Sequence, residues 1–148
     1  MSKSRALAGL RVGYALGDAG LIEALRRVKD SFNSYPLGRV AQAGATASVR
    51  DDGYFRESCA RIIAGREAMT RDLIALGFSV LPSSANFVFA RHPAKSGMEL
   101  AAALRQRAVL VRHFKDPRAA PYLRITVGTD ADVRRLITAA VDILGDQR

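Results

Sequence analysis

Tryptophan is absent from this sequence, cysteine occurs once and histidine only twice. A single thiol, Cys59, excludes an internal disulfide. With no histidine near it in sequence, it reads as a packing residue on a helical stripe rather than a nucleophile. His92 and His113 stand apart without metal-ligand spacing, so no metal site is expected. Also missing is any apolar run long enough to cross a bilayer. The basic, then apolar, opening stretch is broken by Arg11 and Asp18 and leads to no small-residue cleavage site, which argues against a secretory signal. The expectation is a soluble, cytoplasmic protein with no membrane partner.

Charge is plentiful but one-sided. Lysine and arginine number 23 against 14 aspartate and glutamate, a net charge of +9. The excess is almost all arginine spread over several helices, with no basic run and no interleaved aromatics. Solvated faces and small anionic ligands account for it more simply than nucleic acid does. At 148 residues and 49% hydrophobic content, the chain can bury a core of ordinary size. Gly9, Gly13 and Gly17 match neither the dinucleotide fingerprint nor the phosphate loop that ends in lysine and a hydroxyl residue.

Periodicity then divides the chain. "RVGYAL" reads as a short buried strand, and Asp18 caps a helix with Leu21, Ile22, Leu25, Val28 and Phe32 on one face. "LGRVAQAGATASV" predicts a helix of small residues suited to close packing, and Asp51-Asp52-Gly53 a turn. Phe55, Cys59, Ile62, Met69, Leu73 and Leu76 recur at helical spacing as far as Gly77, where the helix should stop. Beyond it, "FSVL", "ANFVFAR", "VLVRHF" and "YLRITV" read as strands. Ser96 with Glu99, and Thr129 with Asp132, signal the starts of two helices. The second is expected to bury Val133, Leu136, Ile137, Ala140, Val141 and Leu144. The fold class is α/β, with a small α+β domain whose antiparallel sheet is covered by helices on one side.

Alternation along the strands sorts the polar residues. Leu123, Ile125 and Val127 should face the covering helices, sending Arg124 to the open side with Tyr122 and Thr126. Val109 and Val111 should likewise face the helices, leaving Arg112 with Leu110 and Phe114 on the open side. Asn86 is expected there too. For one arginine, ordinary solvent contact is the better reading. Two guanidinium groups on neighbouring strands beside an asparagine point to a grip on carboxylate or phosphate.

"SKSRALAGLRVGYALG", "SSANFVFA", "VLVRHF" and "YLRITVGT" together, in order along the whole chain, resemble the C-terminal part of the histidinol-phosphate aminotransferases, pyridoxal-phosphate enzymes of the aspartate-aminotransferase fold (fold type I). The most specific pieces are the spacing from Ser2-Lys3 to Arg11 and the block from Arg112 to Thr129. The resemblance implies three regions: the end of a large cofactor-binding domain over residues 1–53, a linking helix over 54–77 and a complete small domain over 78–148.

The resemblance also implies roles. Lys3 matches the lysine that holds pyridoxal 5'-phosphate as a Schiff base and shuttles the substrate's proton, work open to an amine but not to a guanidinium that stays charged. Ser2 and Arg11 match groups on the cofactor phosphate. Arg124 matches the arginine that grips the substrate anion, Arg112 a second one near the phosphate of histidinol phosphate, and Asn86 a residue lining the substrate pocket. The implied reaction moves an amino group between histidinol phosphate and 2-oxoglutarate, which becomes glutamate, in a homodimer. In the family, the residues ahead of this lysine supply an aspartate for the pyridine nitrogen, a tyrosine for the phenolic oxygen and most of a large sheet. None of these is in this sequence, so the resemblance implies an incomplete C-terminal piece. The alternatives are a related aminotransferase for aromatic amino acids or phosphorylated amines, and a non-catalytic remnant or dimerising module.

Overall fold

The structure, a computed structural model, describes residues 1–33 and 35–145. Residues 146–148, the end of the expected small domain, lie outside the described residues. The chain divides into two compact units, Met1–Cys59 and Ala60–Arg148.

In the first unit the chain opens with a turn in which the Arg5 and Leu7 N–H groups donate to the Met1 carbonyl at 3.2 and 3.4 Å. A single 3-10 turn follows at Ala8–Leu10. The strand expected at "RVGYAL" does not form. Residues 12–18 have no regular structure, and Val12 alone among them is buried. A strand is held by the N–H and C=O groups of a neighbour, and no neighbour pairs with this segment among the described residues.

Helix α1, Ala19–Phe32, begins where the capping signal placed it: the Asp18 carboxylate accepts from the N–H groups of Gly20 and Leu21 at 2.8 and 3.3 Å. Its apolar stripe is exposed, Leu21 at 67% and Phe32 at 79%. Helix α2, Arg39–Arg50, uses its small residues for close packing. Ala45 is buried, and a Cβ on Gly44 would sit 2.9 Å from the Leu10 side chain. The turn expected at Asp51–Gly53 contracts to one residue. Asp51 ends α2 and caps α3, accepting from the Tyr54 N–H at 3.2 Å, so that Gly53 is already helical.

Helix α3, Asp52–Ala75, spans the division between the units and ends at Gly77, whose φ of +87° is a left-handed stop suited to glycine. The second unit then builds a four-stranded antiparallel sheet, ordered β1-β2-β4-β3. Its strands are β1 (Ser79–Val80), β2 (Phe87–Arg91), β3 (Arg112–His113) and β4 (Leu123–Thr126). Helices α4 (Gly97–Gln106) and α5 (Asp130–Gly145) complete it.

Met69 and Leu73 of α3, Leu100 and Leu104 of α4, and Leu136 and Ile143 of α5 bury the inner sheet face, made by Val88, Ala90, Leu123 and Ile125. The alternation expected along β2 and β4 is therefore observed. Along α5 the buried set shifts. Ala139 and Ile143 are buried and Val141 is 48% exposed, because the stripe is centred on Val133, Leu136, Ala140 and Ile143 at helical spacing. Ile137 and Leu144 flank it.

Both predicted caps form. The Ser96 hydroxyl accepts from the Glu99 N–H while the Glu99 carboxylate accepts from the Ser96 hydroxyl and N–H; Thr129 and Asp132 repeat the exchange. Each hydroxyl bond, then each backbone N–H bond, holds its carboxyl below the usual carboxylate range.

Candidate functional site

The outer face of the sheet is where the second unit gathers its unspent polar chemistry. Arg124 and Arg112 are register partners across β4 and β3, so both side chains leave on the same face. Like charges directly opposite one another on neighbouring strands are unfavourable, and neither arginine is paired with a carboxylate among the described residues. Arg124 Nε is moreover buried without a hydrogen-bond partner. A buried N–H of a charged group left unpaired is costly, and this one marks a position that an acceptor from a ligand would satisfy.

What holds the two guanidinium groups is aromatic. The Arg124 guanidinium carbon lies 5.4 Å from the Phe87 ring centre and 5.6 Å from that of Phe114; that of Arg112 lies 5.4 Å from Phe114. Phe89 stacks on Phe114 at 6.0 Å and 22°, and meets Phe87 and Tyr122 edge-on at 5.9 and 6.3 Å. Arg91, on the same face at the end of β2, sits 5.4 Å from the Tyr122 ring centre. Phe114 and Tyr122 share the open side with the arginines, as strand alternation predicts, and Phe87 and Phe89 complete the shelf beneath them. Its signal was the alternation of Phe87, Phe89 and Arg91 in step with Arg124.

One expectation about this face needs correction. The strand expected over "VLVRHF" is only Arg112–His113, because the chain leaves α4 through a left-handed Ala108 (φ 59°) and joins β4 at Arg112. Val109 and Val111 still pack on the core, but Leu110 is 74% exposed beside the sheet rather than on it. Asn86 lies in the bend before β2, and its carbonyl accepts from the Val127 N–H at 2.9 Å. The bend is fixed from outside: the Arg66 guanidinium of α3 donates to the Ala85 carbonyl at 2.9 Å, and the Ser83 hydroxyl to the Phe87 carbonyl at 2.6 Å.

Both histidines serve the backbone. His92 Nε2 faces the Leu76 carbonyl at 3.2 Å while its Nδ1 accepts from the Ala94 N–H, and His113 Nε2 faces the Ala120 carbonyl at 2.9 Å. A carbonyl only accepts, so in each case Nε2 is the donor.

In the first unit, Ser2 and Lys3 lie in the opening turn, and Arg11 follows the 3-10 turn with a left-handed φ of 55°. The Lys3 amine and the Arg11 guanidinium are exposed and enter no ion pair among the described residues. An amine, a hydroxyl and a guanidinium are the kinds of group that can hold an aldehyde carrying a phosphate. The residue that anchors this turn, Arg5, was not singled out in the sequence. Its guanidinium donates to the carbonyls of Ser48 and Asp51 at 2.6 and 3.3 Å and covers the Phe55 ring at 3.8 Å. It thereby satisfies carbonyls at the end of α2 and joins them to the segment that bears Lys3.

Residues 1–139 match the family described as aminotransferase class I and II. The chain is 62% identical over 143 residues to histidinol-phosphate aminotransferase 2 of Rhizobium meliloti, covering 97% of this chain and 41% of that protein. It is 65% identical over 140 residues to histidinol-phosphate aminotransferase 2 of Thiobacillus denitrificans, covering 94% and 39%. Among solved structures it is similar to histidinol-phosphate aminotransferase from Sinorhizobium meliloti in complex with pyridoxal 5'-phosphate. That likeness has a TM-score of 0.81 and 26% identity, and covers 99% of this chain and 40% of the other. The chain thus spans about two fifths of the length of the curated relatives it matches.

Proposed function

The chain belongs to the class I and II aminotransferase family, and we propose that the protein carrying it moves an amino group between histidinol phosphate and 2-oxoglutarate. The observation that carries the substrate half of this reading is the pair Arg124 and Arg112, opposed in register, unpaired by any described carboxylate, with Arg124 Nε buried and unsatisfied. Two guanidinium groups suit the dianionic phosphate of one substrate and the carboxylates of the other.

Pyridoxal phosphate is the cofactor this reading requires, and when bound it supplies the electron sink that makes the substrate's α C–H acidic. The work of the chain itself is to bind, orient and move protons. Lys3 Nζ holds the cofactor and afterwards carries the proton to and from the substrate's α carbon. Ser2 Oγ and the Arg11 guanidinium bind the cofactor phosphate, one by donating a hydrogen bond and the other by neutralising charge. Arg124 and Arg112 bind the substrate anion, and Asn86 lines the substrate pocket. The aromatic shelf of Phe87, Phe89 and Phe114 excludes water from one side of the guanidinium groups and so strengthens their hold. The same reading places the enzyme in the cytoplasm as a homodimer.

The test is amino transfer from histidinol phosphate to 2-oxoglutarate by the whole protein. Replacing Arg124 or Arg112 by alanine should lower kcat/KM by about ten- to a hundredfold, with cofactor content unchanged. Unchanged efficiency in both variants, or loss of cofactor with substrate use intact, would return these arginines to the status of surface groups.

A further inference from the structure

We propose that Phe114 is the positioning residue of the anion site, the shared ring that holds Arg112 and Arg124 together against their mutual repulsion. The proposal rests on the reading of these arginines as the substrate-anion grip. Among the described residues Phe114 is the one ring in contact with both guanidinium groups, at 5.4 and 5.6 Å. Arg124 has a second ring in Phe87, but Arg112 has Phe114 alone. Arg112 is also the less constrained of the two. It is exposed and lies on an edge strand, two residues long, whereas Arg124 is half-buried on β4 between β2 and β3. Without the ring, repulsion from Arg124 and hydration would both draw Arg112 away from the face. The negative face of the ring offers each cation the attraction that no carboxylate supplies here. Phe114 is itself fixed by stacking on Phe89, which Tyr122 meets edge-on. The two cations therefore stand ready before any anion arrives, and the anion's binding does not have to bring them together.

The experiment is a titration of the full chain with inorganic phosphate, followed by NMR of the arginine Nε–H groups, in the parent and in Phe114→Leu, Phe114→Tyr, Arg112→Ala, Arg124→Ala and the double variant Phe114→Leu/Arg112→Ala. In the parent, the Arg112 side-chain signals should show the upfield displacement that an aromatic face produces, and phosphate should move the Arg124 Nε–H signal. Phe114→Leu should abolish the displacement and weaken phosphate binding by roughly two- to thirtyfold, the span of a cation-ring contact from exposed to desolvated. Phe114→Tyr keeps the ring and should restore both. The double variant should bind about as weakly as Arg112→Ala alone, since the ring acts through that arginine. Parent-like affinity in Phe114→Leu, or fully additive losses in the double variant, would overturn the positioning role while leaving the site intact. Phosphate binding that survives Arg124→Ala, or no binding by the parent, would instead overturn the site itself and the proposal with it.

Discussion

Replacing Gly97 by alanine tests the packing that supports β3 from behind. Gly97 is the first residue of α4, buried, and a Cβ built on it would lie 2.6 Å from the Ala120 carbonyl oxygen, 3.1 Å from the His113 ring and 3.3 Å from the Pro121 backbone. Carbon and oxygen come no closer than roughly 3.3 Å in ordinary contacts, so the methyl group requires about 0.7 Å of movement in a backbone segment. That segment is pinned, because the same carbonyl accepts from His113 Nε2 at 2.9 Å. Overpacking of this kind costs about 1–3 kcal/mol, against about 0.5–1 kcal/mol regained when a helical glycine becomes alanine. The expected net loss is about 1–2 kcal/mol, or roughly 2–8 °C in Tm for a chain of this size. Gly53, near the start of α3, is the control: it has nothing within 4 Å of its would-be Cβ. Gly53→Ala should be neutral or slightly stabilising. The assay is paired thermal and urea unfolding of the two variants and the parent. A Gly97→Ala protein as stable as Gly53→Ala would refute the close approach of α4 to the turn before β4. Because His113 neighbours Arg112, a destabilised Gly97→Ala should also weaken phosphate binding.

Removing Arg5 by alanine should cost about 1–2 kcal/mol, through the lost helix-end contacts and ring contact. It should raise amide exchange in residues 1–11 more than in α5; equal protection in both proteins would contradict the anchoring role. The caps at Ser96–Glu99 and Thr129–Asp132 predict an acid limb. Both carboxyls sit below their ordinary range in the folded chain, so their contribution is complete above that range and is lost as pH falls through the lower folded values. Unfolding midpoints measured from neutral pH downward should decline there, and Glu99→Gln/Asp132→Asn should flatten the decline. An identical acid limb in that double variant would show that the caps do not carry it.

The elements of the second unit were legible in the sequence because their signals are local and agree with one another. Gly77 stops α3, Ser96 and Thr129 each meet an acidic residue three positions on, and Leu123, Arg124 and Ile125 alternate in a strand that is buried on one side. The opening segment was misread because "RVGYAL" has strand composition, while a strand also needs a neighbour, which composition does not report. Arg5 went unnoticed for a related reason. Its partners Ser48, Asp51 and Phe55 lie more than forty residues away, beyond the reach of any periodic pattern. On the sheet face, alternation placed Arg112 and Arg124 on one side but could not show that Phe114 lies against both, since that depends on the side-chain rotamers of three residues on β3, β4 and the segment after β3.

In the proposed reaction Lys3 is the residue that bonds to the cofactor. The direct measurement is to incubate the protein with pyridoxal phosphate, reduce with borohydride, digest and locate the added mass among the four lysines Lys3, Lys29, Lys95 and Lys115. One adduct is expected, on the peptide that contains Lys3; it should be absent in Lys3→Ala and not transferred to another lysine. An adduct confined to Lys29, Lys95 or Lys115, or undiminished labelling of Lys3→Ala, would contradict this role.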